Sequence, residues 1–83
     1  GGVTYYIECK GYFRAGDTQK YRSVKNCLGE NQELIFVLMN ENQRVNRGSK
    51  LTMAGWCDKH EILWYNIDTL KELVSYVSDT RRN

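Results

Sequence analysis

The apolar positions of this chain change their period as it runs, and each change marks an element. From Val3 to Gly11 two sets alternate: Val3, Tyr5, Ile7 and Cys9 against Thr4, Tyr6, Glu8 and Lys10. Side chains alternate across a strand, so the stretch predicts a β-strand, with the first set able to pack on a core. Spacings of three and four over Tyr21, Val24 and Leu28 then predict a helix from Thr18 to Leu28. Asp17 is its expected N-cap and Gly29 its stop. Leu34 to Met39 is wholly apolar, as suits a central strand covered on both faces. Strand, helix and strand together predict a right-handed crossover with parallel pairing.

Asn40 to Lys50 turns polar and predicts a long surface loop, or one holding a short strand near Gln43–Val45. Thr52 is a second expected N-cap, for a short helix over Met53–His60 with Met53, Trp56 and Cys57 inward. Ile62–Tyr65 predicts a short strand. Asp68 is expected to cap a last helix from Thr69 to Val77, with Leu70, Leu73, Val74 and Val77 as its buried stripe. Ser78 to Asn83 should fray, leaving Arg81 and Arg82 exposed. The pattern therefore predicts a single α/β domain, a small mixed sheet of three or four strands with flanking helices, in the order β-α-β-loop-α-β-α.

Composition narrows the function classes. A hydrophobic content of 41% is too rich for a disordered chain. No apolar run approaches the ~18 residues that span a bilayer, and no signal peptide precedes the first strand, which predicts an intracellular protein without a membrane partner. Three cysteines, with no Cys-x-x-Cys pair, argue against a disulfide framework or a self-contained zinc site. Cys9, Cys27 and Cys57 are expected as small core residues. A net charge of +2 implies no partner by itself, so the question becomes where the charge sits.

The informative place is the end of the first strand. Glu8 and Lys10 project from one face, two residues apart. Alone, such a pair is a weak signal and reads first as a surface ion pair or two solvated charges. Its chemistry becomes specific beside a phosphodiester, whose hydrolysis needs an activated water and neutralised phosphate charge. Glu8 is a candidate metal ligand, the Cys9 carbonyl between the two is another, and Lys10 can orient water or balance the phosphoanion. Lys20, Arg22 and Lys25 on the first helix are candidate phosphate contacts near the metal site, Lys20 foremost because it lies nearer the strand end, and Gln19 could serve similarly. Arg44, Arg47 and Lys50 in the polar loop are candidates too. Tyr12 and Phe13, beside the strand end, are candidates for stacking on a distorted base. His60, the one histidine, reads as a helix-capping residue, and Trp56 and Trp64 read as core.

The run Tyr6–Ile7–Glu8–Cys9–Lys10–Gly11, followed by Asp17, a basic helix and the apolar strand, resembles the second half of the PD-(D/E)XK nuclease core. Arg47–Gly48–Ser49 and Trp56–Cys57–Asp58–Lys59–His60 extend the resemblance to the phage endonuclease I group, which resolves four-way DNA junctions. It covers the chain from about Val3 to Leu73. The resemblance implies a restriction-endonuclease-like core fragment and a Mg2+- or Mn2+-dependent DNA endonuclease acting on branched DNA. Glu8 would be a metal-binding carboxylate and Lys10 the active-site lysine. It also implies an intertwined homodimer and, for a phage protein, the host cytoplasm. The family's aspartate about ten residues before the glutamate has no counterpart here. The missing acids are expected on a preceding portion or a second chain. The alternative is a non-catalytic nucleic-acid-binding or assembly module with the same fold.

Overall fold

The structure, a computed structural model, describes residues 2–81, with side chains through 79. Three strands, β1 (Thr4–Lys10), β2 (Gln32–Leu38) and β3 (Leu63–Asn66), form one sheet in the order β1-β2-β3. Both pairings are parallel, so the sheet is not mixed. Helix α1 (Asp17–Asn26) joins β1 to β2, α2 (Met53–Lys59) lies between β2 and β3, and α3 (Leu70–Arg81) follows a single 3-10 turn. An isolated antiparallel bridge from Arg44 to Thr52 stands where a short strand near Gln43–Val45 was an option.

The central strand explains the layering. Leu34, Phe36 and Leu38 point to the side of α1 and α2, where they bury against Phe13, Tyr21, Met53, Trp56 and Cys57. Ile35 and Val37 point to the other side and meet Leu73 of α3. A strand covered by helices on both faces can be apolar throughout, as this one is.

Pairing Glu8 with Phe36 and Lys10 with Leu38 puts these two polar residues on the main core side. The face expected to be buried is the more open one: Ile7 is 47% exposed and Cys9 is exposed. The cause is the seat of α3, which lies over Ile35, Val37, Leu63 and Tyr65 and, among the described residues of this cluster, meets β1 at Tyr5. The Tyr5 ring meets that of Tyr76 edge-on at 6.1 Å. The same seat leaves Leu70 and Val74 exposed, so of the expected stripe Leu73 is buried and Val77 half-buried.

Helix ends follow local chemistry. Thr52 caps α2 as expected, its Oγ1 accepting from Gly55 N–H at 3.0 Å. The last cap belongs to Asn66 instead of Asp68: Asn66 Oδ1 accepts from Thr69 N–H and Thr69 Oγ1 accepts from Asn66 N–H. Helix α3 runs on to Arg81, past the point where fraying was expected. The expected exposure of Arg81 and Arg82 lies outside the described residues. Among the cysteines only Cys57 is buried, which pushes its thiol up to about 12; Cys27, like Cys9, is exposed.

Helix α2 ends in a Schellman turn, with Ile62 N–H donating to Cys57 O at 2.8 Å and Glu61 N–H to Asp58 O at 3.2 Å. The turn holds Glu61 at φ 57°, in the left-handed region that disfavours a side chain. Glu61→Gly is therefore expected to stabilise the fold by about 1 kcal/mol. A urea midpoint that falls instead would show that the Glu61 side chain contributes more than its backbone costs.

Candidate nucleic-acid interface

In an open parallel sheet, ligands bind beyond the carboxyl ends of the strands, where loops and helix N-termini converge. That end of β1 holds Lys10. A cleft of about 340 Å3 opens there, lined by Cys9, Lys10, Gly11, Tyr12, Arg14, Asp17 and Lys20. A larger one of about 890 Å3 lies alongside, sharing Gly11 and Tyr12 and walled by Gln43, Arg44, Val45, Asn46 and Arg47. The two clefts gather five cations from three separate segments.

Lys10 is held in place rather than left to swing. Its Nζ lies 5.1 Å from the Tyr21 ring centroid and 3.6 Å from Asp17 Oδ2. Its interaction with the Tyr21 phenol raises its pKa most. Slight burial opposes this, and the charges of Asp17 and Glu8 add to it. At neutral pH this side chain is an ammonium, suited to neutralising a phosphate and unsuited to abstracting a proton. Tyr21 is 2% exposed, fixed among Phe13, Phe36 and the helices. Lys20 Nζ lies 5.2 Å from the same ring, so one buried phenol ring organises two cations.

Asp17 does not cap α1. The N-cap is Gly16, at φ 87° and without a side-chain bond, while Asp17 turns back to accept from Arg14 N–H at 2.9 Å. That bond lowers its pKa most, and Lys10 and Lys20 lower it further. A carboxylate held below its unfolded pKa contributes stability that is present above about pH 4. The contribution is lost as pH falls through the folded value. Asp17→Asn should therefore flatten the decline in melting temperature between roughly pH 5 and pH 2. An unchanged acid limb would remove Asp17 from the network.

The other expected residues divide. Glu8 is half-buried on the same face as Lys10. Tyr12 is 57% exposed, with the Arg14 guanidinium 5.9 Å from its ring centroid. Phe13 is core, its ring 5.1 Å from that of Trp56, and is unavailable for stacking. Arg44 and Arg47 line the larger cleft. Lys50 and Gln19 are exposed but line neither cleft, and Arg22 and Lys25, further along α1, line neither and are not at the mouth. The loop itself is anchored: Met53 N–H donates to Gln43 O at 2.7 Å, Val45 N–H to Leu51 O at 2.9 Å, and Val45 is buried. Arg14, Asp17 and Tyr21 were not foreseen at this site. Only Arg14, a cation in the loop directly after Lys10, carried a readable signal.

Among the described residues no group of three His, Cys, Asp or Glu side chains is placed to hold a metal ion. The strand end offers the Glu8 carboxylate and the Cys9 carbonyl, while the Asp17 carboxylate is already engaged by Arg14 and Lys10. Magnesium is commonly held by one or two carboxylates with water and substrate phosphates completing its shell. One free carboxylate is the minimum of that set. Among the described residues no helix is long and apolar enough to cross a membrane.

The fold and this cleft define an open three-stranded parallel α/β domain with a basic mouth. No family model, no curated protein and no solved structure matches the chain.

Proposed function

We propose that this domain binds the phosphate backbone of DNA, branched DNA in the first instance, across the mouth of its sheet, and that Glu8 and Lys10 belong to a metal-dependent phosphodiester-cleaving centre. The observation that carries the reading is the convergence of Lys10, Arg14, Lys20, Arg44 and Arg47 on two adjoining clefts at the end of β1; Glu8 lines neither cleft but shares the strand face of Lys10. The nuclease-like core pattern of the sequence supports the same assignment. Charge from separate segments gathered in one concavity raises the local concentration of a polyanion.

Each residue has a definite task. Arg44, Arg47, Arg14 and Lys20 bind phosphates and set the register of the duplex. Lys10, held by Tyr21 and Asp17, donates to the phosphate at the cutting position and offsets its charge. Glu8 and the Cys9 carbonyl would hold Mg2+ or Mn2+ together with an acid that the described residues do not place here, contributed in a homodimer or by another segment. The bound metal would supply Lewis-acid activation of water and phosphate. Tyr12, exposed between the clefts, offers a face for a base at a distorted position.

The small acid set favours a second reading, a DNA-binding or assembly module that does not cut. Titration with magnesium or manganese separates the two. The nuclease reading expects saturable shifts at the Glu8 and Cys9 resonances, strengthened by junction DNA and abolished in Glu8→Gln. DNA binding without any saturable metal response leaves the binding module. Failure to bind either junction or duplex DNA at low salt overturns both.

A further inference from the structure

We propose that a pocket between the C-terminal half of α1 and the end of α2 is an oxyanion site that takes a phosphate group through Arg22, Lys25, Asn26 and His60. These four side chains line a recess of about 260 Å3. Arg22, Lys25 and Asn26 stand three and four residues apart, on one face of α1. His60, at the C-cap of α2, faces them with its ring 4.7 Å from that of Trp56. The half-buried imidazole is thus directed by a fixed aromatic wall.

The pocket collects two cations, an amide and an imidazole, and no acid among the described residues lines it. Among the described residues the one ion pair is Lys10–Asp17, and none joins Arg22, Lys25, Lys59 or His60 to an acid. Asp58, the acid of α2, is engaged elsewhere, its Oδ1 accepting from Trp64 Nε1 at 3.0 Å, and Glu61, directly after His60, lines a different recess together with Asp58. Burial, then the charges of Lys59 and Arg22, hold His60 below its ordinary pKa, so these cations already act on the imidazole. Helix C-termini favour Lys25, Lys59 and His60, but Arg22 lies before the last turn of α1 and the dipole does not account for it. A tetrahedral oxyanion answers all four groups: it offsets the mutual repulsion, and the guanidinium fork and Asn26 amide give it direction.

This site lies apart from the sheet mouth and uses none of its residues. Parallel strands oblige α1 to return the chain to the start of β2, so its C-terminal half sits at the opposite end of the sheet from Lys10. A phosphodiester in a second DNA arm and a free phosphate monoester both offer the required chemistry.

The sequence holds one histidine, so the His60 ring resonances form a single reporter. Sulfate is the probe because its charge is constant through the titration range of histidine. At constant ionic strength, sulfate should shift these resonances saturably and raise the His60 pKa by about 0.5 or more. Sulfate affinity should fall roughly threefold or more as pH rises and His60 loses its proton. Arg22→Ala and Lys25→Ala, on the helix surface, should each weaken sulfate at least about fivefold. Lys10→Ala should leave the response intact while weakening DNA at the mouth, so this inference and the earlier reading fail separately. A shift that does not saturate, or that survives both α1 substitutions, overturns the site. A short DNA duplex that reproduces the sulfate shift assigns the phosphate to a nucleic-acid backbone. A response to sulfate and none to the duplex assigns it to free monoesters.

Discussion

Replacing Arg44 and Arg47 together by alanine will lower DNA affinity about ten- to a hundredfold near physiological salt. It will also reduce the slope of log affinity against log salt by about 1.8, the loss expected for two phosphate contacts. The expectation rests on the anchoring of the loop that carries them. Arg44 is bridged to Thr52, Val45 is buried, and Asn46 Oδ1 accepts from Gly48 N–H at 3.0 Å. A held arginine loses less entropy on binding than one on a mobile segment. Lys50→Ala is the internal comparison, since Lys50 lines neither cleft. Filter binding or fluorescence anisotropy over a salt series measures both quantities. Equal effects of the double variant and Lys50→Ala would mean diffuse charge, with no phosphate-binding cleft.

Phe36→Ala will remove a large part, about half, of the stability of the domain. Phe36 is fully buried in the central strand, its ring 4.9 Å from that of Tyr21 and 6.0 Å from that of Phe13. Truncating a buried phenylalanine costs about 3–5 kcal/mol. A chain of this length has roughly 4–12 kcal/mol in all. The effect reaches the site because Tyr21, which holds Lys10 and Lys20, packs on Phe36. Urea denaturation should show the midpoint collapse, and DNA binding should fail with it. Phe36→Leu, which fills most of the space, should recover much of the midpoint. A loss under about 1 kcal/mol would show that the aromatic cluster is not the core.

The elements were legible because each announces itself locally. An unbroken apolar run from Leu34 to Leu38 has one comfortable place in an α/β domain, between two helical layers. Thr52 caps α2 because its hydroxyl needs only the N–H groups of the following turn. Local chemistry misled where two nearby candidates competed. Asn66 took the cap expected of Asp68 through its reciprocal bonds with Thr69, and Asp17 turned back to Arg14 and Lys10 instead of capping α1.

From its residues alone the chain determined that β1, β2 and β3 exist, that helices separate them, and that Glu8 and Lys10 share one face. Those are consequences of period and propensity, properties of a few adjacent residues. Only the tertiary structure decided which face of β1 would be covered, because that depends on where α3 lies across the sheet. It also decided that Phe13 is core, that Tyr21 positions Lys10, and that Arg44 and Arg47 stand by Tyr12 while Lys50 does not. Each of these joins residues far apart in the chain, and packing alone brings such residues together.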